Sequence, residues 1–452
     1  MKIFFRRIHL YLGLASGLFL VVVCLTGSIL VFEDELEHTW HSKLYYVEAA
    51  TTPRLSLAQL TDAVKAYKPT GKISSFKIFA DPARTVEVSL AGPDRPGGER
   101  GGPGDQGQQQ RGETPGAGRG EQRGKPAAGA AEAQGAGRGE QRRDGAQEQQ
   151  RGEGQGAMGG KPGGPGGKGG RGRNNGPRVF VNPYTGAVLG EVNQQESFFL
   201  FIEQIHRGLV AGRVGKLIMG INSVIFLFIL GTGIVLWWPT ARKAFSQRLR
   251  IKWGSSWKRL NHDFHIVLGF YASLFLFIMA LTGVGMAFDW VGNTINTLTH
   301  SSRERPEPPT STVPGAAGAA FSADAALAAA RQQAPAAESY AVQLPKGPTG
   351  SIQVGIRPTD ALTERGTNDV YFDQYSGQVL RQTTYAQQPI GQRIRGLFKP
   401  VHTGAIFGWP TKMLAFVIVL LGATFPITGT IMWLNRTRKA RKKAGPQGAV
   451  LA

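Results

Sequence analysis

The sequence predicts a membrane α+β protein: a four-transmembrane-helix bundle built from two parallel repeats, each with an extracytoplasmic α+β module. Three observations predict it. Four apolar runs reach bilayer-spanning length, the two halves of the chain match in register, and each half carries mixed helical and strand periodicity between its runs.

Crossing hydrocarbon takes about 20 apolar residues, and residues 8–32, 217–238, 266–288 and 413–434 supply them. The first run is too long for a signal-peptide core and lacks a small-residue cleavage site. Glu33, Asp34 and Glu35 follow it, which predicts a retained anchor helix. Charge then sets orientation. The chain has 52 Lys+Arg against 31 Asp+Glu, a net +21. Its dense acid-free basic runs lie beside the spans, at Lys2, Arg6 and Arg7, at 242–259 and at 436–443. The positive-inside rule places such runs in the cytoplasm, and all eight tryptophans fall near a predicted interface.

The predicted organisation follows. Residues 1–36, 206–240, 261–290 and 401–435 are membrane segments, and 37–205 and 291–400 are outer modules. A basic loop (241–260) and a basic tail (436–452) are cytoplasmic, as are both termini. Membrane lipid is the partner this charge pattern implies. Nucleic acid is excluded, because the basic residues write topology and the other basic stretch has no aromatic residue to stack on bases. That stretch, 92–176, holds 30 of the 62 glycines and is predicted to be a disordered insert, since it has too little apolar surface to offset its ordering entropy. The remainder is too apolar for a soluble multidomain enzyme.

The duplication is read directly. His9-Leu-Tyr-Leu-Gly13 matches His265-Ile-Val-Leu-Gly269, and Leu25-Thr26-Gly27 matches Leu281-Thr282-Gly283, both at an offset of 256. At an offset of 196, His206, Gly208, Gly212, Lys216, Thr232, Gly233 and Trp237 match His402, Gly404, Gly408, Lys412, Thr428, Gly429 and Trp433. Parallel repeats of this kind pack about a pseudo-twofold axis along the membrane normal. Each module reads as a helix (56–67; 322–333) with strands (75–79 and 85–90; 340–344, 351–356 and 369–372). Tyr-Thr-Gly and Tyr-Ser-Gly turns join further strands.

Four of the eight histidines are the register-matched set. His9 and His265 lie at the cytoplasmic ends of spans one and three; His206 and His402 precede spans two and four on the outer side. The pseudo-axis sets His9 opposite His265 and His206 opposite His402, giving one bis-histidine site near each face. Two facing neutral imidazoles in an apolar bundle suit haem b, with two haems expected. A zinc site would want four ligands, and the single Cys24 excludes a CxxCH attachment. Gly13 and Gly17 follow His9 at i+4 and i+8, and Gly269 and Ser273 do so for His265, leaving room for a porphyrin plane. The same small residues also allow close helix contact without a cofactor. Arg207, Arg213, Lys216 and Lys412 are placed to meet haem propionates or to snorkel to the interface. His38 and His41 read as solvated interface residues, His262 as an alternative inner ligand, and His300 has no chemical context.

These residues resemble the PepSY-associated transmembrane helix family. The carriers are the His-Leu-Tyr-Leu-Gly and Leu-Thr-Gly pattern of span one, the His206-Arg-Gly-Leu opening and Thr-Gly-x-x-x-Trp close of span two, and the Tyr-[Ser/Thr]-Gly turns. The match covers nearly all of the chain except the insert and the last dozen residues. The resemblance implies PepSY-like outer modules and a multi-pass protein of the bacterial inner membrane, similar to iron-regulated, haem-containing ferric-siderophore reductases. An oxidoreductase of that kind carries electrons outward to a periplasmic ferric-siderophore or similar ferric complex. No dinucleotide-binding fingerprint is present, so the electron donor is external, either quinol or a cytoplasmic reductant. The competing reading is a non-enzymatic anchored module that binds or inhibits a periplasmic protease or signalling partner. A solute transporter is disfavoured, because no span is broken at mid-depth.

Overall fold

Four helices of the computed structural model are long and apolar enough to cross a membrane: Lys2–Leu30, Gly212–Trp237, Trp257–Ala287 and Trp409–Arg438. Each begins before the apolar run read from sequence, because basic or polar residues extend the helix at its N-terminal end. The structure describes residues 2–92, 176–239, 241–302, 306–314 and 320–444. The predicted disordered insert therefore lies, apart from its first and last residues, outside the described residues.

In chain order, α1 (Lys2–Leu30) is followed by α2 (Glu33–Trp40), α3 (Ser42–Tyr45) and α4 (Leu57–Tyr67). Strands β1 (Ile73–Phe79), β2 (Val86–Leu90), β3 (Arg178–Val181) and β4 (Val188–Val192) come next. Helix α5 (Phe198–Gly208) leads into α6 (Gly212–Trp237), and α7 (Arg242–Arg248) and α8 (Trp257–Asp263) form the connection. A π-helical turn, Phe264–Leu268, joins α8 to α9 (Gly269–Ala287). The second half continues with α10 (Asp289–Leu298), α11 (Ala323–Gln333), β5 (Ala337–Gln343), β6 (Ser351–Pro358), β7 (Asn368–Asp373) and β8 (Val379–Thr383). It closes with α12 (Ile390–His402) and α13 (Trp409–Ala444).

In the bundle α1 packs against α6 and α13, and α9 packs against the same two, so α1 and α9 lie on a diagonal. Helix α5 rests on α1 and α12 rests on α9. The register-matched Leu18 and Leu274 are 74% and 62% exposed, as side chains turned to lipid must be.

The two α+β modules share one sheet. All eight strands are antiparallel neighbours in the order β4-β3-β2-β1-β5-β6-β7-β8, so chain order runs outward from the central β1–β5 pair on both sides. The expectation of two separate small units misses this pairing. Each module alone would leave β1 or β5 as an open edge, and pairing the two satisfies both. The strand pattern makes the joint continuous. Val179, Val88, Phe76, Val342, Val354 and Val370 stand opposite one another in a row across six strands. All six are essentially buried, under α4 and α11. Fully burying one such side chain contributes about 1.5–3 kcal/mol. Asp324 of α11 accepts hydrogen bonds from the N–H groups of Leu57 and Ala58, at 2.6 and 3.1 Å, capping α4 from the other half.

The Tyr-[Ser/Thr]-Gly turns have a physical cause. Asn182 Oδ1 accepts from the N–H of Tyr184 at 2.8 Å, and Asp373 Oδ1 accepts from those of Tyr375 and Ser376 at 2.8 and 2.9 Å. Gly186 and Gly377 then take the left-handed conformation, at φ of 73° and 71°. Asp373 Oδ2 also accepts from Thr312 N–H at 3.0 Å. The Ser376 N–H, then those of Tyr375 and Thr312, hold the Asp373 carboxyl below its usual range, against its burial. Its stabilisation is thus complete above the unfolded value of about 3.9 and is lost as pH falls through the lower folded value. Asp373→Ala is expected to destabilise the sheet by about 2–4 kcal/mol, and Asp373→Asn, which keeps the turn acceptor, by less. Denaturant unfolding checks this, and equal losses would contradict it.

Candidate functional site

The bundle brings the four register-matched histidines together as two pairs. His9 on α1 and His265 in the π-helical turn have ring centres 6.3 Å apart, with ring planes at 88°. His206 on α5 and His402, the last residue of α12, have ring centres 6.1 Å apart, at 75°. The first pair lies toward the chain termini and the second toward the sheet. Helix geometry aims the rings inward: Phe199, Ile202 and His206 follow at spacings of three and four on one face of α5, and the first two are buried. A mid-helix π turn, as at His265, re-aims a side chain and recurs at functional sites.

Each ring is gripped in the same way by a Thr-Gly pair on a neighbouring helix. His9 Nδ1 lies 3.0 Å from Thr232 Oγ1 and 3.1 Å from the Ile229 carbonyl. His265 Nδ1 lies 2.9 Å from Thr428 Oγ1. His206 Nδ1 lies 3.1 Å from both Thr26 Oγ1 and the Val23 carbonyl. His402 Nδ1 lies 3.1 Å from Thr282 Oγ1 and 2.8 Å from the Met279 carbonyl. The glycine after each threonine clears space for the ring. A Cβ at Gly233, Gly429, Gly27 or Gly283 would stand only 3.1–3.4 Å from the Cε1 of its histidine.

This geometry fixes the proton. A carbonyl only accepts, and at His265 the Thr428 hydroxyl gives its own proton to the Thr424 or Phe425 carbonyl, so Nδ1 carries the hydrogen in the neutral ring and Nε2 keeps its lone pair. Among the described residues no hydrogen bond reaches any of the four Nε2 atoms. Each pair therefore offers two bare imidazole nitrogens in apolar surroundings. Two imidazoles that bind one ion from opposite sides, at metal–nitrogen distances of roughly 2.0–2.1 Å, have ring centres about 6 Å apart. The observed separations fit that arrangement, and therefore a bis-histidine haem. Among the described residues no cluster of three or more His, Cys, Asp or Glu side chains gathers.

The small residues beside the rings divide. Gly13 has nothing within 4 Å of the position of a Cβ, and Gly269 meets only Phe425 at 3.9 Å, so both leave room. Gly17 packs on Pro426 of α13, at 3.2 Å from its Cβ position, and Ser273 is buried with its hydroxyl on the Phe270 carbonyl at 2.7 Å. These two serve helix packing. Of the basic residues, Arg207 is paired with Glu203 at 2.7 Å and Lys412 with Glu35 at 2.6 Å. Arg213 and Lys216 form no ion pair among the described residues. His38 stacks near Tyr45 at 4.2 Å, and burial, then the Arg84 charge, lowers its pKa. His262 contacts Asp263 at 3.3 Å, and His300 sits in a left-handed turn.

The role of the Thr-Gly pairs was missed in the sequence, although the signal was present. Thr-Gly recurs in all four spans, in register with the histidines it touches. Along α1, His9 and the Val23–Thr26 contact of the second pair are 14–17 residues apart, about 21–26 Å at 1.5 Å per residue. Between the pairs, Cys24, Leu276, Ala280, Ile418, Val419 and Ala423 form an apolar floor. A comparison with curated protein sequences found no match. A family model described as the PepSY-associated TM region matches residues 6–436. The chain is a membrane protein that belongs to the PepSY-associated transmembrane family.

Proposed function

We propose that this protein is a haem-dependent oxidoreductase of the bacterial inner membrane that passes electrons outward to a ferric complex of the siderophore type. The observation that carries the reading is the double pair of histidines, each with Nδ1 turned to an acceptor, a bare Nε2 and ring centres 6.1–6.3 Å apart. Matched cradles and the outward strand order favour a duplicated unit of parallel repeats. The basic runs beside the termini and in the 241–260 loop support a reading with that end of the bundle in the cytoplasm and the sheet in the periplasm.

His9 with His265, and His206 with His402, would each hold one b-type haem, which supplies a one-electron iron couple. The protein's own residues do the rest. The histidines fix two sites about 21–26 Å apart along α1, so one lies near each face of the hydrocarbon. The apolar floor between them excludes water and protons, leaving electrons as the only cargo. Arg213 and Lys216, free of ion pairs among the described residues, present positive charge near the sheet-side pair, where an anionic ferric chelate would approach. Ferrous iron binds oxygen-rich chelators weakly, so reduction would release it. Quinol or a cytoplasmic reductant would supply the electrons. An anchored module that only binds a periplasmic protein has no use for four cradled imidazoles.

Purified full-length protein is expected to hold two haems per chain. His9→Ala or His265→Ala should each leave one, as should His206→Ala or His402→Ala, and a variant of each pair combined should leave none. Pyridine haemochrome assay of the detergent-purified variants counts them; no haem in the parent protein contradicts the reading. In proteoliposomes with a reductant enclosed on the cytoplasmic side, external ferric chelate reduction should fall at least a hundredfold in any single-pair variant. Undiminished reduction would contradict the need for both pairs.

A further inference from the structure

The four threonines at the histidine rings have a bonding arrangement that goes beyond packing. A threonine hydroxyl has one proton to give. Thr26 gives it to the Val22 or Val23 carbonyl, at 2.7 or 3.1 Å, and Thr232 to Ile229 at 3.0 Å. Thr282 gives it to Ile278 or Met279, both at 2.9 Å, and Thr428 to Thr424 or Phe425 at 3.0 or 3.1 Å. With that proton committed to its own helix, the oxygen can only accept from Nδ1–H. The N–H of His9, His206 and His402 is thereby held between two acceptors, the hydroxyl and the carbonyl three residues before it, and that of His265 is held by the Thr428 hydroxyl.

Bonding back to the helix is not by itself the distinguishing feature. Thr424 and Thr430 of α13 make the same local bond, at 2.7 and 2.8 Å, and meet no histidine. Only Thr428, followed by Gly429, does so on that helix. The pairing of an acceptor with a missing Cβ is repeated at all four rings and at no other threonine that bonds a histidine among the described residues.

We propose that Thr26, Thr232, Thr282 and Thr428 are positioning residues that set the electron-donating strength of the four histidines, and so the reduction potential at each site. This rests on the haem reading above. An N–H pulled toward acceptors gives the ring partial anionic character and makes Nε2 a stronger ligand. A stronger donor favours the ferric state and lowers the potential. Valine keeps the shape of threonine and removes the hydroxyl acceptor, so the potential should rise.

The test is a potentiometric titration of the detergent-purified, haem-loaded full chain, followed in the visible spectrum. Thr26→Val and Thr282→Val should raise the midpoint of the His206–His402 centre and leave the other unchanged. Thr232→Val and Thr428→Val should do the converse. The expected size is a tenfold change in the oxidised-to-reduced ratio at fixed potential, about 59 mV for one electron. Thr→Ser at each position should restore the parent value. Haem loss to an apoprotein acceptor should quicken by about 10–100-fold in the valine variants. A valine variant that loses its haem while the serine variant keeps it at the parent potential also supports the assignment. Loss in both would count against the hydroxyl. A parent protein without haem sinks the haem reading and this inference together. A parent with two haems, whose valine variants titrate as it does, overturns the threonine assignment alone.

Discussion

The proton on Nδ1 is the constraint on which the rest of the site depends. In an apolar bundle a neutral imidazole has two nitrogens to satisfy and few polar neighbours. Here a threonine hydroxyl claims Nδ1 at every one of the four rings, joined by a helix carbonyl at His9, His206 and His402. That choice leaves Nε2 without a partner, and two such atoms per site make a costly arrangement unless something accepts their lone pairs. The placement of the helices serves it: α1 and α9 stand on a diagonal, and α5 and α12 each lean on one of them, so four elements deliver two pairs.

The sheet ties the two halves of the chain together. Each half carries four strands, and alone each would leave the edge of its first strand open. Antiparallel pairing of β1 with β5 removes both edges, and the six-residue apolar row then runs unbroken from Val179 to Val370. Asp324 capping α4 ties the halves again on the helix side.

Much of this was legible in the residues. The spans follow from apolar length, and the pairing of His9 with His265 and of His206 with His402 follows from register and a parallel repeat. The turns at Gly186 and Gly377 follow from Asx and glycine chemistry. Two things were not legible. The β1–β5 junction joins residues more than 250 apart, and each strand's own alternation is satisfied whether its edge is open or paired. Thr232 and Gly233 are visible in the sequence as register-matched positions, but their contact with His9 is not, because a threonine bonded to its own helix looks the same with or without a histidine opposite. Gly17 and Ser273, read as room for a porphyrin, fill helix contacts instead, since i+8 on α1 has already turned toward Pro426.

The most direct measurement is the low-temperature electron paramagnetic resonance spectrum of the oxidised, detergent-purified protein. The account predicts two low-spin ferric signals, in equal amounts, of the kind given by iron held between two imidazoles. Ring planes near 88° and 75° predict strongly anisotropic forms of that signal. A high-spin signal as the main species, or no haem signal in protein made with ample haem, would contradict it.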